Sequence, residues 1–201
     1  DGISSIPQCF VAGHKKTGSS NYKAPTISRN NSSYIFDRTG VYSSTSSENG
    51  AAIQFTHPGG SSTAAGRGNA GGYLVFPMFE GDLNDYTLTF WMRCVYHNVA
   101  TDANGKHDFA TTAYLGGTYA RKISVGTMTD PNDPSTFELL QVCDYPYSSS
   151  VLSGKKVEDD PTGSNYWVKF SVPLANAQGQ FLVFMDEDYG KRNNWVMIDD
   201  V

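Results

Sequence analysis

Residues 86–93 read Tyr-Thr-Leu-Thr-Phe-Trp-Met-Arg, which sets Thr89, Trp91 and Arg93 at alternate positions. In an extended chain alternate side chains share a face. An indole flanked by a hydroxyl and a guanidinium is suited to a sugar, because the ring stacks on its C–H face while polar groups bond its hydroxyls. Tyr96, Tyr145, Tyr147, Tyr166 and Tyr189 offer further rings at strand ends or in loops. Lys191-Arg192-Asn193-Asn194 adds donors beside the last of them. The competing use of every large aromatic in a chain of this kind is the core.

Other chemistries find less support. His14, His57, His97 and His107 lack the spacing of metal ligands, and no G-x-S-x-G turn seats a nucleophile. Gly66-Arg67-Gly68-Asn69-Ala70-Gly71 fits G-x-G-x-x-G, but a strand pattern follows it, and a dinucleotide site needs a helix N-terminus there. Glu158-Asp159-Asp160 and Asp186-Glu187-Asp188 lie in polar turns, where solvated charge explains them better than a glycosidase pair. Asp102-Ala103-Asn104-Gly105 with Asp108 resembles part of a calcium loop without its closing Glu. An enzyme is therefore not expected.

The elements that must carry these residues are strands. The chain has 201 residues, with 20 Gly, 12 Tyr, 11 Phe and 3 Trp, and only 17% charged residues. That profile suits short strands between turns in one large sandwich spanning 1–201. Strands are expected over 51–56, 73–77, 86–93, 122–128, 137–143, 167–173, 181–185 and 195–201. In the third of these Tyr86, Leu88, Phe90 and Met92 form the apolar face. Residues 129–134, Thr-Asp-Pro-Asn-Asp-Pro, make a secure turn. Residues 1–49 read as irregular structure over the core, and helices should be few or absent.

The net charge of −5 supplies no positive field for phosphates, so nucleic acid is not an expected partner. No apolar run is long enough to span a bilayer. The sequence opens on Asp1 without a leader pattern, as a mature or trimmed chain would. Cys9, Cys94 and Cys143 allow at most one internal disulfide, and their pairing stays open.

Residues 123–137, Ile-Ser-Val-Gly-Thr-Met-Thr-Asp-Pro-Asn-Asp-Pro-Ser-Thr-Phe, resemble the central hairpin of jelly-roll domains in surface proteins of Bacteroidetes-type bacteria. These are the choice-of-anchor domains and the cleaved adhesin domains of gingipains, which are similar in shape to MAM domains. The ending Asn194-Trp195-Val196-Met197-Ile198-Asp199-Asp200-Val201 resembles their terminal strand, and Ile6-Pro7-Gln8-Cys9-Phe10 their opening. Glu48 to Phe55, and Trp167 followed by Gly179 and Phe181-Leu182-Val183-Phe184, also match, so the resemblance spans nearly the whole chain.

The resemblance implies an all-β, two-sheet antiparallel jelly-roll sandwich of galactose-binding or MAM-like type, carried in a larger surface protein. It implies a non-catalytic module, extracellular or at the cell surface. A glycan or surface polysaccharide on Trp91, Arg93, Tyr96, Tyr145, Tyr147, Tyr189 and Asn193 is the expected partner, with a protein-binding adhesin or spacer as the alternative. It also implies a structural calcium ion on Asp199 and Asp200, with Asp1 as a further ligand. Relatives run on past this Ile-Asp-Asp, so the carry-over is partial.

Overall fold

The computed structural model describes residues 9–15, 24–29, 51–57, 72–96, 122–145, 167–187 and 194–201. Among these residues ten strands run in chain order: β1 (Val11–His14), β2 (Thr26–Arg29), β3 (Ala51–His57), β4 (Gly72–Val75), β5 (Thr87–Tyr96), β6 (Lys122–Met128), β7 (Glu138–Asp144), β8 (Val168–Pro173), β9 (Phe181–Met185) and β10 (Asn194–Asp199). They form two five-stranded sheets, β1-β4-β9-β6-β7 and β2-β3-β10-β5-β8. Every pairing is antiparallel. Among the described residues the only helices are single 3-10 turns at Leu83–Asp85 and Pro134–Thr136.

The chain passes repeatedly from one sheet to the other, and β10, last of the ten, lies in the middle of its sheet between β3 and β5. The core sits where the sheets face each other. Leu74, Ile123, Val125 and Phe184 come from the first sheet, and Ile53, Phe55, Phe90, Val196 and Ile198 from the second. Aromatic rings bridge this space in series. Phe10 meets Phe76 edge-on at 5.0 Å between centroids, Phe76 meets Phe184 at 5.5 Å, and Phe184 meets Phe90 at 4.9 Å. Phe170 then stacks on Phe90 at 5.5 Å.

Two expectations about elements are corrected. Residues 11–14 and 26–29 are not irregular: β1 pairs with β4 and β2 pairs with β3, each at one end of a sheet order. Tyr86 does not join the apolar face of β5. It closes the 3-10 turn before that strand, its N–H donating to the Leu83 carbonyl, and it is 49% exposed. Leu88, Phe90 and Met92 do face the core, as their alternation requires.

The loops at one end of the sandwich are tightly tied. Asp82 and Asp133 cap the two 3-10 turns by accepting from the N–H groups of Asn84 and Ser135. These bonds hold both carboxyls below their ordinary range: the Asn84 N–H does most for Asp82, and the Ser135 hydroxyl most for Asp133. Gly179 is buried against β6, where its N–H donates to Thr127 Oγ1 at 3.2 Å. A Cβ there would overlap the Met128 carbonyl, which is backbone and cannot rotate aside. Gly179→Ala is therefore expected to lose about 1–3 kcal/mol of stability, as overpacked sites do, read as a lower urea midpoint at unchanged slope.

Candidate functional site

The outer face of the second sheet carries Trp91, the strand-borne member of the expected platform. Cross-strand register sets Asp199 of β10, Trp91 of β5 and Lys169 of β8 in one row. Thr89 lies opposite Ser171 in the next row on that face. Residues opposite one another on a face have Cβ atoms about 4.5–5.5 Å apart, so these groups are neighbours. Lys169, Thr89 and Ser171 are exposed, while Trp91 and Asp199 are half-buried. Trp91 leans on a small apolar cluster of Ala52, Trp167 and Met197. Such seating holds the ring in place, since Trp167 and Met197 are themselves buried.

Further along the same face the arrangement differs from expectation. Gln54, Met197 and Arg93 form the adjoining row, and Arg93 is only 1% exposed. Arg93 is thus corrected from a solvent-facing donor to a buried charge on a covered part of the sheet. Tyr145 is corrected likewise: it is 1% exposed and belongs to the main core with Cys143 and Ile123. Its ring faces are committed to packing. Tyr96 ends β5 with its backbone paired to Asn194, and its side chain lies outside what the structure describes. Tyr147, Tyr166, Tyr189, Lys191, Arg192 and Asn193 lie outside the described residues, as do Asp1, the Asp102–Asp108 segment and Glu158-Asp159-Asp160.

Asp199 and Asp200 follow one another at the end of β10. Asp200 is exposed and takes φ 48°, and its N–H donates to Asp199 Oδ1 at 2.8 Å. Calcium takes about six to eight oxygen ligands. Among the described residues no three His, Cys, Asp or Glu side chains gather as metal ligands. The two adjacent carboxylates therefore fall short of a calcium site on their own.

A second surface was not anticipated from sequence. At the tied end of the sandwich, Phe79 and Tyr86 meet edge to face with centroids 4.8 Å apart, 41% and 49% exposed, beside Met78 at 57%. The Phe79 N–H donates to the Gln180 carbonyl at 3.3 Å, which ties this loop to residues 174–180. Gly81 turns the loop with φ 124°, a value only glycine adopts without strain. The available signal was the run Met78-Phe79-Glu80-Gly81-Asp82, bulky apolar residues inside a turn.

Two packed antiparallel sheets with strands exchanged between them define a jelly-roll β-sandwich. Three solved structures similar to it are adhesin domains. The K1 cleaved adhesin domain of Lys-gingipain from Porphyromonas gingivalis W83 aligns over 99% of this chain and 95% of its own, with a TM-score of 0.52 and 14% identity. The K3 domain of the same protein aligns over 99% and 91%, with a TM-score of 0.51 and 17% identity. The K2 domain gives 96% and 88%, a TM-score of 0.50 and 11% identity. At such identities the likeness is one of fold, and the fold is cleaved-adhesin-like, as the sequence resemblance implied. No protein-family model matches the chain, and no curated protein matches it.

Proposed function

We propose that this chain is a single, non-catalytic, adhesin-like binding module of a larger protein at the cell surface or outside the cell, and that its ligand is a glycan held around Trp91. Fold alone does not assign function, so the reading rests on the sheet face. One observation supports it most: a half-buried indole seated on Trp167 and Met197, in register with Lys169 and Asp199 and next to exposed Thr89 and Ser171. A ring fixed by packing stacks on a sugar without losing much side-chain freedom, and a cation, a carboxylate and two hydroxyls beside it match the mixed hydrogen bonding of sugar hydroxyls. Tyr96, Tyr147, Tyr189 and Asn193 are proposed to extend that platform.

Among the described residues no helix is long and apolar enough to cross a membrane. Calcium belongs to the proposal only as a variable of the test. The experiment is a glycan-array and affinity-electrophoresis screen with and without calcium, comparing the native chain with Trp91→Ala and Lys169→Ala. The expected result is retention by at least one glycan class, weakened tenfold or more in a Trp91→Ala protein that still melts cooperatively. Lys169 is exposed, so its variant reports binding without a packing loss. Absence of glycan binding in every condition would leave the protein-binding or spacer role as the reading of this module.

A further inference from the structure

The geometry points to a second binding surface: the end of the sandwich bearing Phe79 and Tyr86 docks a cationic, Lys/Arg-bearing polypeptide segment. This surface is separate from the Trp91 face, and the inference does not rest on the glycan reading.

Three loops build it. Residues 76–86 join β4 to β5, residues 129–137 join β6 to β7, and residues 174–180 join β8 to β9. Contacts hold them together: Phe79 bonds Gln180, Asn84 Nδ2 donates to the Ala177 carbonyl at 3.2 Å, and Gly179 lies on Met128 and Thr127. The apolar part of the surface is the Phe79–Tyr86 pair with Met78, three large hydrophobes left exposed at one loop, and grouped exposed apolar side chains are a feature of interaction sites.

Charge selects the occupant. Residues 76–86, 129–137 and 174–180 contain Glu80, Asp82, Asp85, Asp130 and Asp133, and not one Lys, Arg or His. Asp82, Asp130 and Asp133 are engaged in bonding Asn84, Asn132 and Ser135. Glu80 and Asp85 flank the aromatic pair, are exposed, and hold no ion pair among the described residues. Of the described lysines, Lys15 pairs with Glu187 at 3.2 Å and lies 5.3 Å over the Phe137 ring rather than at the Phe79–Tyr86 pair, Lys122 pairs with Asp144 at 3.3 Å, and Lys169 is on the outer face of the second sheet. An anionic or neutral apolar partner would meet uncompensated carboxylates. A Lys or Arg side chain satisfies both parts, laying its alkyl stem or guanidinium on Phe79 and Tyr86 and its charge against Glu80 and Asp85.

The test uses a labelled hexa-arginine peptide, with hexa-glutamate and a Gly-Ser peptide as controls, titrated by fluorescence anisotropy at low and at physiological salt. Hexa-arginine is expected to bind and to weaken with salt. Phe79→Ser/Tyr86→Ser, which leaves every charge in place, is expected to weaken it tenfold or more, and Trp91→Ala to leave it unchanged. Glu80→Gln/Asp85→Asn reads the electrostatic part and serves if the aromatic variant melts early. The inference is overturned if hexa-arginine does not bind, or if it binds equally well to both double variants, because the attraction then belongs to net charge. It is overturned too if the Phe79→Ser/Tyr86→Ser change instead abolishes glycan retention or self-association, since the surface would then serve a sugar or a second copy of the chain.

Discussion

Phe184→Ala is expected to cost about 3–5 kcal/mol of unfolding free energy, the range for truncating a fully buried phenylalanine. Phe184 is completely buried in β9, and its ring touches Phe76, just past the end of β4, and Phe90 across the sandwich. Removing it deletes the link through which the aromatic series crosses between sheets, and the neighbours cannot close the gap without moving strands. Urea denaturation followed by tryptophan fluorescence measures the loss. Leu139→Ala is the companion, since Leu139 is 52% exposed on β7 and should stay within about 0.5 kcal/mol of the native chain. Equal losses in the two variants would contradict a core centred on Phe184.

The second large effect is expected in alkali. Burial pushes the Cys143 thiol up from 9.0 to about 12, against a small opposing pull from the Gln141 amide. Burial, with Asp133 and Asp130 nearby, also raises Tyr73 above its ordinary value. In the unfolded chain both groups ionise earlier, so the folded state holds more protons through this window. Stability is therefore full below about pH 9 and falls as pH rises toward 12, by roughly 2–4 kcal/mol for the thiol. Urea midpoints across pH 8 to 11 should decline in the native chain, and the decline should flatten in Cys143→Ala. Alkylation offers an independent reading: at pH 8 Cys9, which is exposed, should react while buried Cys94 and Cys143 do not. Parallel declines in both proteins would remove Cys143 as the cause.

Eight of the ten described strands were legible because their residues alternate or run apolar between turn formers. Leu88, Phe90 and Met92 in β5 are the clearest case. Val-Ala-Gly-His of β1 and Thr-Ile-Ser-Arg of β2 carry no such signal over four residues. They become strands because a neighbouring edge offers hydrogen bonds, a tertiary cause that local pattern does not encode. The site shows the same division. Alternation placed Trp91 and Arg93 together on the face opposite the core, but it does not tell an open face from a covered one, and only Trp91 keeps partial access. Tyr145 sits beyond the last residue of β7, where a tyrosine suits a loop or a core equally well. Phe79 and Tyr86 escaped notice because they gain meaning only when the loop folds one ring onto the other.

The central place of β10 bears on how such a chain is made. β3 and β5 have no partner for the edges they turn toward each other until residues 194–199 arrive between them. During synthesis more than a hundred residues leave the ribosome after β3 before that gap is filled. Two apolar half-sheets stay open meanwhile, and exposed strand edges of that sort are templates for misassembly. Completion of the second sheet then waits on β10, and loop-closure entropy over so long a separation makes that step slow. A chain cut before residue 194 is therefore expected to aggregate through the open edges of β3 and β5.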